Sequence, residues 1–184
     1  MTTTAAGGFD VANIPADELA DMLLWLVNNL NPIDHMDCAA LLMATCDLRT
    51  REALALRWQD ADLDAKELHV AYTCDELGNP KPVKAKFTVK MPACAADGLR
   101  KRRTVQTAYF KRYAKHLIDR EGEQATVSLL APIVSTPEGK PVRPKAFARW
   151  WHDRRCDFNM FGWTLSDLRK ARMIAAAANS EAGR

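Results

Sequence analysis

Arginines and lysines carry the chemistry this sequence could perform. Arg49 stands in Asp47-Leu48-Arg49-Thr50, between the apolar run Leu41-Leu42-Met43 and the segment Ala53-Leu54-Ala55-Leu56. A cation there opens a helix, on the unfavourable side of the helix dipole, so it calls for an anion. Two partners stay open: Glu52, three residues on, or a ligand phosphate reached jointly by the guanidinium and the helix amides. Thr50 offers a hydroxyl suited to capping the same helix. Arg169 and Arg172 lie at i,i+3 in a helical segment near the end of the chain. Lys84, Lys86 and Lys90 alternate with Val83, Ala85, Phe87 and Val89, which gives a strand a basic face. Arg100-Lys101-Arg102-Arg103 adds four consecutive cations with Asp97 as the nearby acid, a solvated cluster or a set of phosphate-backbone contacts.

Other chemistries find little support. Asp60, Asp62 and Asp64 alternate like the opening of a calcium loop, but Ala65 stands where the loop needs glycine and Ala71 where it needs a bidentate glutamate. No His/Asp/Glu cluster has ligand spacing, so neither a metal nor another cofactor is expected. The five cysteines (38, 46, 74, 94, 156) form an odd set without CxxC pairing, which predicts reduced thiols and a cytoplasmic setting. No apolar run is long enough for a membrane span, and no secretory signal pattern opens the chain.

The net charge of +3 conceals a polarity along the chain. Residues 1–80 carry 4 basic and 14 acidic side chains, residues 81–120 carry 12 and 2, and residues 121–184 carry 10 and 7. Either the basic block meets an anionic partner, or the acidic and basic halves attract each other.

The elements that must position these groups follow from periodicity. Residues 1–12 lack it and predict a disordered leader, leaving 13–184 as one domain. Leu19, Met22, Leu23, Leu26, Val27 and Leu30 predict a helix closing at Asn31-Pro32, and a second helix runs from about Asp34 to Cys46. Alternation predicts strands over 67–73 and 83–91 across a turn at Asp75–Pro80. A helix is predicted over about 104–119, with Val105, Ala108, Tyr109, Tyr113 and Leu117 facing the core. Pro144 opens another, carrying Phe147, Trp150 and Trp151. Gly162 then precedes an alanine-rich helix that buries Leu165, Leu168 and Met173. The fold class is α+β, mostly helical, with a small antiparallel sheet.

This order of parts resembles the catalytic domain of the tyrosine recombinases, the phage-integrase family. LLMATCDLRTREALALRWQDADLD resembles that family's first arginine segment, and Leu165-Ser-Asp-Leu-Arg169 its second, which usually reads His-x-x-Arg. The resemblance covers about residues 15–178. It implies that Arg49 and Arg169 clamp a scissile phosphate, that Lys84 or Lys86 protonates the leaving hydroxyl, and that Glu52 supports the arginines from behind. Ser166 stands where the family has histidine and can offer only a hydroxyl hydrogen bond. Lys86 and the 100–103 cluster would contact duplex DNA, with further recombinase subunits as possible partners.

One departure is large. The family's nucleophilic tyrosine follows the second arginine by some tens of residues, whereas this sequence runs fifteen residues past Arg169 and has no tyrosine there. The expectation is a DNA-binding recombinase domain, inactive by itself. The alternative is a protein-interaction module with a recombinase-like fold.

Overall fold

The computed structural model describes residues 10–119 and 125–182, from 175 onward by backbone alone. Part of the expected leader is ordered: residues 11–13 form a 3-10 turn capped by the Asp10 carboxylate, with Val11 fully buried against the last helix. Residues 1–9 lie outside the described residues.

Helix α1 (Ala16–Asn29) buries Leu19, Leu23 and Leu26, one apolar stripe at spacings of four and three. Helix α2 (His35–Cys46) starts where Asp34 accepts from the amides of Met36 and Asp37 at 2.8 and 3.1 Å. It is buried on all sides from Asp37 to Cys46 and ends at Asp47, whose φ of 55° turns the chain sharply. Helix α3 (Thr50–Ala55) follows two residues later.

Strands β1 (Ala61–Asp62), β2 (Glu67–Cys74) and β3 (Pro80–Lys90) make an antiparallel sheet in that order. Leu68 faces Val89 and Val70 faces Phe87, with an irregularity between Val70 and Tyr72. The hairpin is the one expected, three residues longer at the start of β3. Most of β3 is solvent-facing, and Phe87, on the strand face opposite the lysines, is 42% exposed although its partner Val70 is buried.

Helix α4 (Ala93–Tyr113) begins at Pro92, well before the expected start, and takes in the whole 100–103 run. Its inner face is Ala95, Leu99, Arg102, Gln106 and Phe110. Tyr109 and Tyr113, expected in the core, are 39% and 52% exposed. Strands β4 (Ile118–Asp119) and β5 (Thr126–Val127) pair antiparallel. Helix α5 (Pro144–Arg154) buries Phe147 and Trp151, and the Trp151 indole donates to the Trp163 carbonyl at 3.0 Å. Helix α6 (Leu165–Ala182) packs Leu168 and Ala171 against α1 and α2, while Met173, expected inside, is 51% exposed.

All five cysteines are free, and burial pushes the Cys38 thiol up to about 12 and the Cys46 thiol up to about 11. Among the described residues no helix is long and apolar enough to cross a membrane.

Arg102 corrects the reading of the basic run. It is 3% exposed and donates to the carbonyls of Ile33 (2.6 Å), Ile133 (3.2 Å) and Ser135 (2.8 Å), so it cannot contact DNA. Burial lowers its pKa, and three backbone oxygens take the place of water around the guanidinium. Gln106 extends the network, linking the Trp58 indole to Ser135 and the Pro132 carbonyl. In urea unfolding, Arg102→Ala should cost about 2–4 kcal/mol, since those carbonyls lose a charged donor, whereas Lys101→Ala should stay within about 0.5 kcal/mol.

Candidate phosphate-binding site

Arg49 owes its position to the way α2 ends. Asp47 takes the left-handed conformation, Leu48 is buried, and Arg49 becomes the N-cap residue of α3 with extended backbone (φ −72°, ψ 152°). Its amide donates to Glu52 Oε2 at 2.8 Å, so the buried Glu52 carboxylate serves the backbone and not the guanidinium. Thr50, a candidate cap, is instead the first helical residue. Among the described residues no carboxylate lies within ion-pair distance of the exposed Arg49 guanidinium. Arg51 ties α3 to the hairpin, donating to the Cys74 carbonyl at 3.3 Å and pairing with Glu76.

Arg169 arrives from the other end of the chain. Asp167 accepts from the Thr164 amide and hydroxyl at 2.7 Å each, which fixes the first turn of α6. One turn further, Arg169 Nε donates to the Asp47 carbonyl at 3.2 Å and lies 2.8 Å from Asp47 Oδ1. Its Nη2 reaches Asp47 Oδ2 at 3.5 Å. Arg172 Nε donates to the Thr45 carbonyl at 3.4 Å. The two side chains thus satisfy carbonyls at the C-terminal end of α2, where the helix dipole favours cations.

Two hollows meet at the arginines. One, of about 510 Å³, is lined by Asp47, Arg49, Glu52, Arg169 and residues 87–90 of β3. The other, of about 320 Å³, is lined by Arg49, Thr50, Ser166, Arg169 and Lys170 with apolar neighbours. Strand β3 is an edge strand of its sheet, and its last four residues line the first hollow. Ser166 is present with its hydroxyl 2.8 Å from that of Thr164. Lys84 and Lys86 are exposed farther along β3 and line neither hollow; Lys90 lines the first, its Nζ 3.6 Å from Glu67 Oε1. Sequence reasoning passed over Lys90 for a role and missed Asp47, though Asp47 lies two residues from Arg49.

A larger hollow, about 1290 Å³, lies elsewhere, between α4 and the sheet. Arg100, Arg103 and Lys111 line it together with Asp62 and Asp64, so opposite charges share its walls. Arg100 pairs with Asp97 at 2.9 Å and Asp64 at 3.5 Å, and the Arg103 guanidinium lies 5.6 Å from the Trp58 ring centre. Lys101 is exposed. Helical geometry sends the four consecutive cations in four directions. Among the described residues, no group of three or more His, Cys, Asp or Glu could hold a metal ion.

No protein-family model matches the chain, and no curated protein matches its sequence. Solved structures do match. The Tn1549 transposon integrase in complex with transposon right end DNA superposes with a TM-score of 0.58 at 13% identity, over 99% of this chain and 56% of that one. The same integrase with a circular intermediate DNA gives 0.57 at 13% identity, over 98% and 56%. XerA recombinase gives 0.51 at 13% identity, over 85% and 47%. The chain has a recombinase-like fold. It spans about half the length of the structures it matches.

The cap beneath Arg49 is testable apart from any ligand. Glu52→Ala should cost about 1–2 kcal/mol in chemical denaturation, because the Arg49 amide loses its acceptor, and Glu52→Gln, which keeps a side-chain carbonyl, should recover most of it.

Proposed function

We propose that this chain is a DNA-binding domain of the tyrosine recombinase and integrase kind, in which Arg49 and Arg169 hold a backbone phosphate. The observation that carries this reading is their convergence: two arginines 120 residues apart line the same two open hollows. Planar guanidiniums suit phosphate oxygens because each can donate two parallel hydrogen bonds. The recombinase-like fold supports the reading, as does the net charge of +10 carried by residues 81–120.

The roles follow from chemistry. Arg49 and Arg169 stabilise the charge that develops on the phosphoryl oxygens. A β3 lysine supplies the proton for the leaving oxygen. We assign that task to Lys90, which lines the first hollow, in place of Lys84 or Lys86, which contact the flanking duplex. Ser166 adds a hydroxyl donor, and Glu52 keeps Arg49 in place. Lys101, Arg100 and Arg103 extend phosphate contact along α4. Covalent strand cleavage needs a nucleophile: Tyr72 lies under the Arg57 guanidinium, Tyr109 and Tyr113 sit on α4, and none of the three lines the two hollows. The reaction therefore awaits a tyrosine from a further segment or a second subunit.

A second reading, an interaction module for other proteins, is favoured by one observation. Leu24, Trp25 and Phe161 are 60%, 43% and 63% exposed, and Trp25 packs edge-on against Phe158 at 6.1 Å.

Duplex DNA binding measured across a salt series separates the two. Affinity should fall steeply with salt, and Arg49→Ala or Arg169→Ala should each weaken binding by roughly tenfold and lower the log–log salt slope by about one. A salt-independent affinity, or one indifferent to both arginines, rejects the phosphate clamp. Incubation with a nicked suicide duplex should leave no protein–DNA species after denaturation. An adduct would direct attention to Tyr109 and Tyr113.

A further inference from the structure

Arg169 already holds an anion. Its guanidinium lies against both oxygens of Asp47, at 2.8 Å from Nε to Oδ1 and 3.5 Å from Nη2 to Oδ2, and Nε also donates to the Asp47 carbonyl. Arg49, across the same hollow, has no such partner among the described residues. Of the two acids lining that hollow, Glu52 is engaged by the Arg49 amide, which leaves Asp47 as the carboxylate that faces a guanidinium. The two side chains are 34% and 44% exposed, Asp47 through Oδ2, since Oδ1 is buried and without a hydrogen-bond partner among the described residues.

We infer that Asp47 is an internal competitor for phosphate at Arg169: a carboxylate that occupies the second arginine until a ligand phosphate displaces it. The inference rests on the clamp proposed above and adds its regulation. Carboxylate and phosphate oxygens seek the same guanidinium donors, so both cannot be fully served at once. The longer Nη2 contact is the one a phosphate takes first, while the Nε bond to the Asp47 carbonyl keeps the side chain aimed at the hollow. The device also sets the site's charge. Arg49, Arg169 and Lys90 against Asp47 and Glu52 give a formal +1, which becomes +2 when Asp47 is neutralised. An unfilled clamp is therefore a weak attractor of stray anions, and one that selects ligands whose phosphate is held by several further contacts.

The test uses Asp47→Asn and Asp47→Gly. Both remove the carboxylate and suit the left-handed backbone, asparagine by tolerance and glycine by lack of a Cβ. Inorganic phosphate is titrated into the full chain while the Arg169 Nε–Hε resonance, assigned by its loss in Arg169→Gln, is followed by NMR. Both variants should bind phosphate roughly two- to fivefold more tightly than the parent, the scale of a partly exposed ion pair, and duplex DNA should follow. The gain should vanish in the Arg169→Gln background. Phosphate affinity unchanged or weakened in both variants overturns the inference, as does a gain that survives without Arg169, which would reflect net charge alone. A phosphate gain in chains that bind no duplex would reject the DNA reading and leave Asp47 as the competitor. Duplex binding with an unmoved phosphate affinity would do the reverse.

Discussion

A helix buried on all sides must still find donors for its last carbonyls, and that requirement governs this fold. Helix α2 is buried from Asp37 to Cys46, and its C-terminal end meets Arg169 and Arg172 of α6 at the carbonyls of Asp47 and Thr45. The same bonds fix α6 across α2 and set Arg169 beside the turn that delivers Arg49. The candidate site is thus a by-product of helix termination. Side chains that satisfy the backbone at one level present guanidinium groups to a ligand at the next.

Much of the fold was legible because its elements keep a clean period. The hairpin followed from alternation over 67–73 and 83–91, and α2 from its apolar run after Asp34. Helix α4 was misread for a physical reason. Its inner face carries Arg102 and Gln106, which are buried through hydrogen bonds to Ile33, Ile133, Ser135 and Pro132 in distant loops, and no local pattern announces those acceptors. The apolar side of Tyr109 and Tyr113 then looked like the inner one. A buried arginine satisfied by carbonyls is invisible to any rule that counts charges as surface.

The site was legible in outline, and its details were less so. Arg49 stood out locally, because a cation at a helix start demands an explanation. Arg169 drew attention through the resemblance of its segment, since nothing within the sequence links positions so far apart. Alternation placed Lys84, Lys86 and Lys90 on one strand face but could not tell which part of an eleven-residue strand passes the arginines. Asp47 escaped notice because its importance comes from a left-handed φ and a partner on α6, and neither is written in neighbouring residues.

The docking of α6 also has a bearing on how the molecule is made. A ribosome that has released the chain through α5 has already delivered Arg49, Glu52 and the whole hairpin, yet α2 still ends on carbonyls without donors. These contacts, separated by more than a hundred residues, can form only once α6 has been made, and ordering so long an intervening chain costs loop entropy that they must repay. In a nascent chain, then, one arginine is on offer and its partner does not yet exist. Synthesis itself delays the pairing of the two cations until α6 has followed α5 off the ribosome.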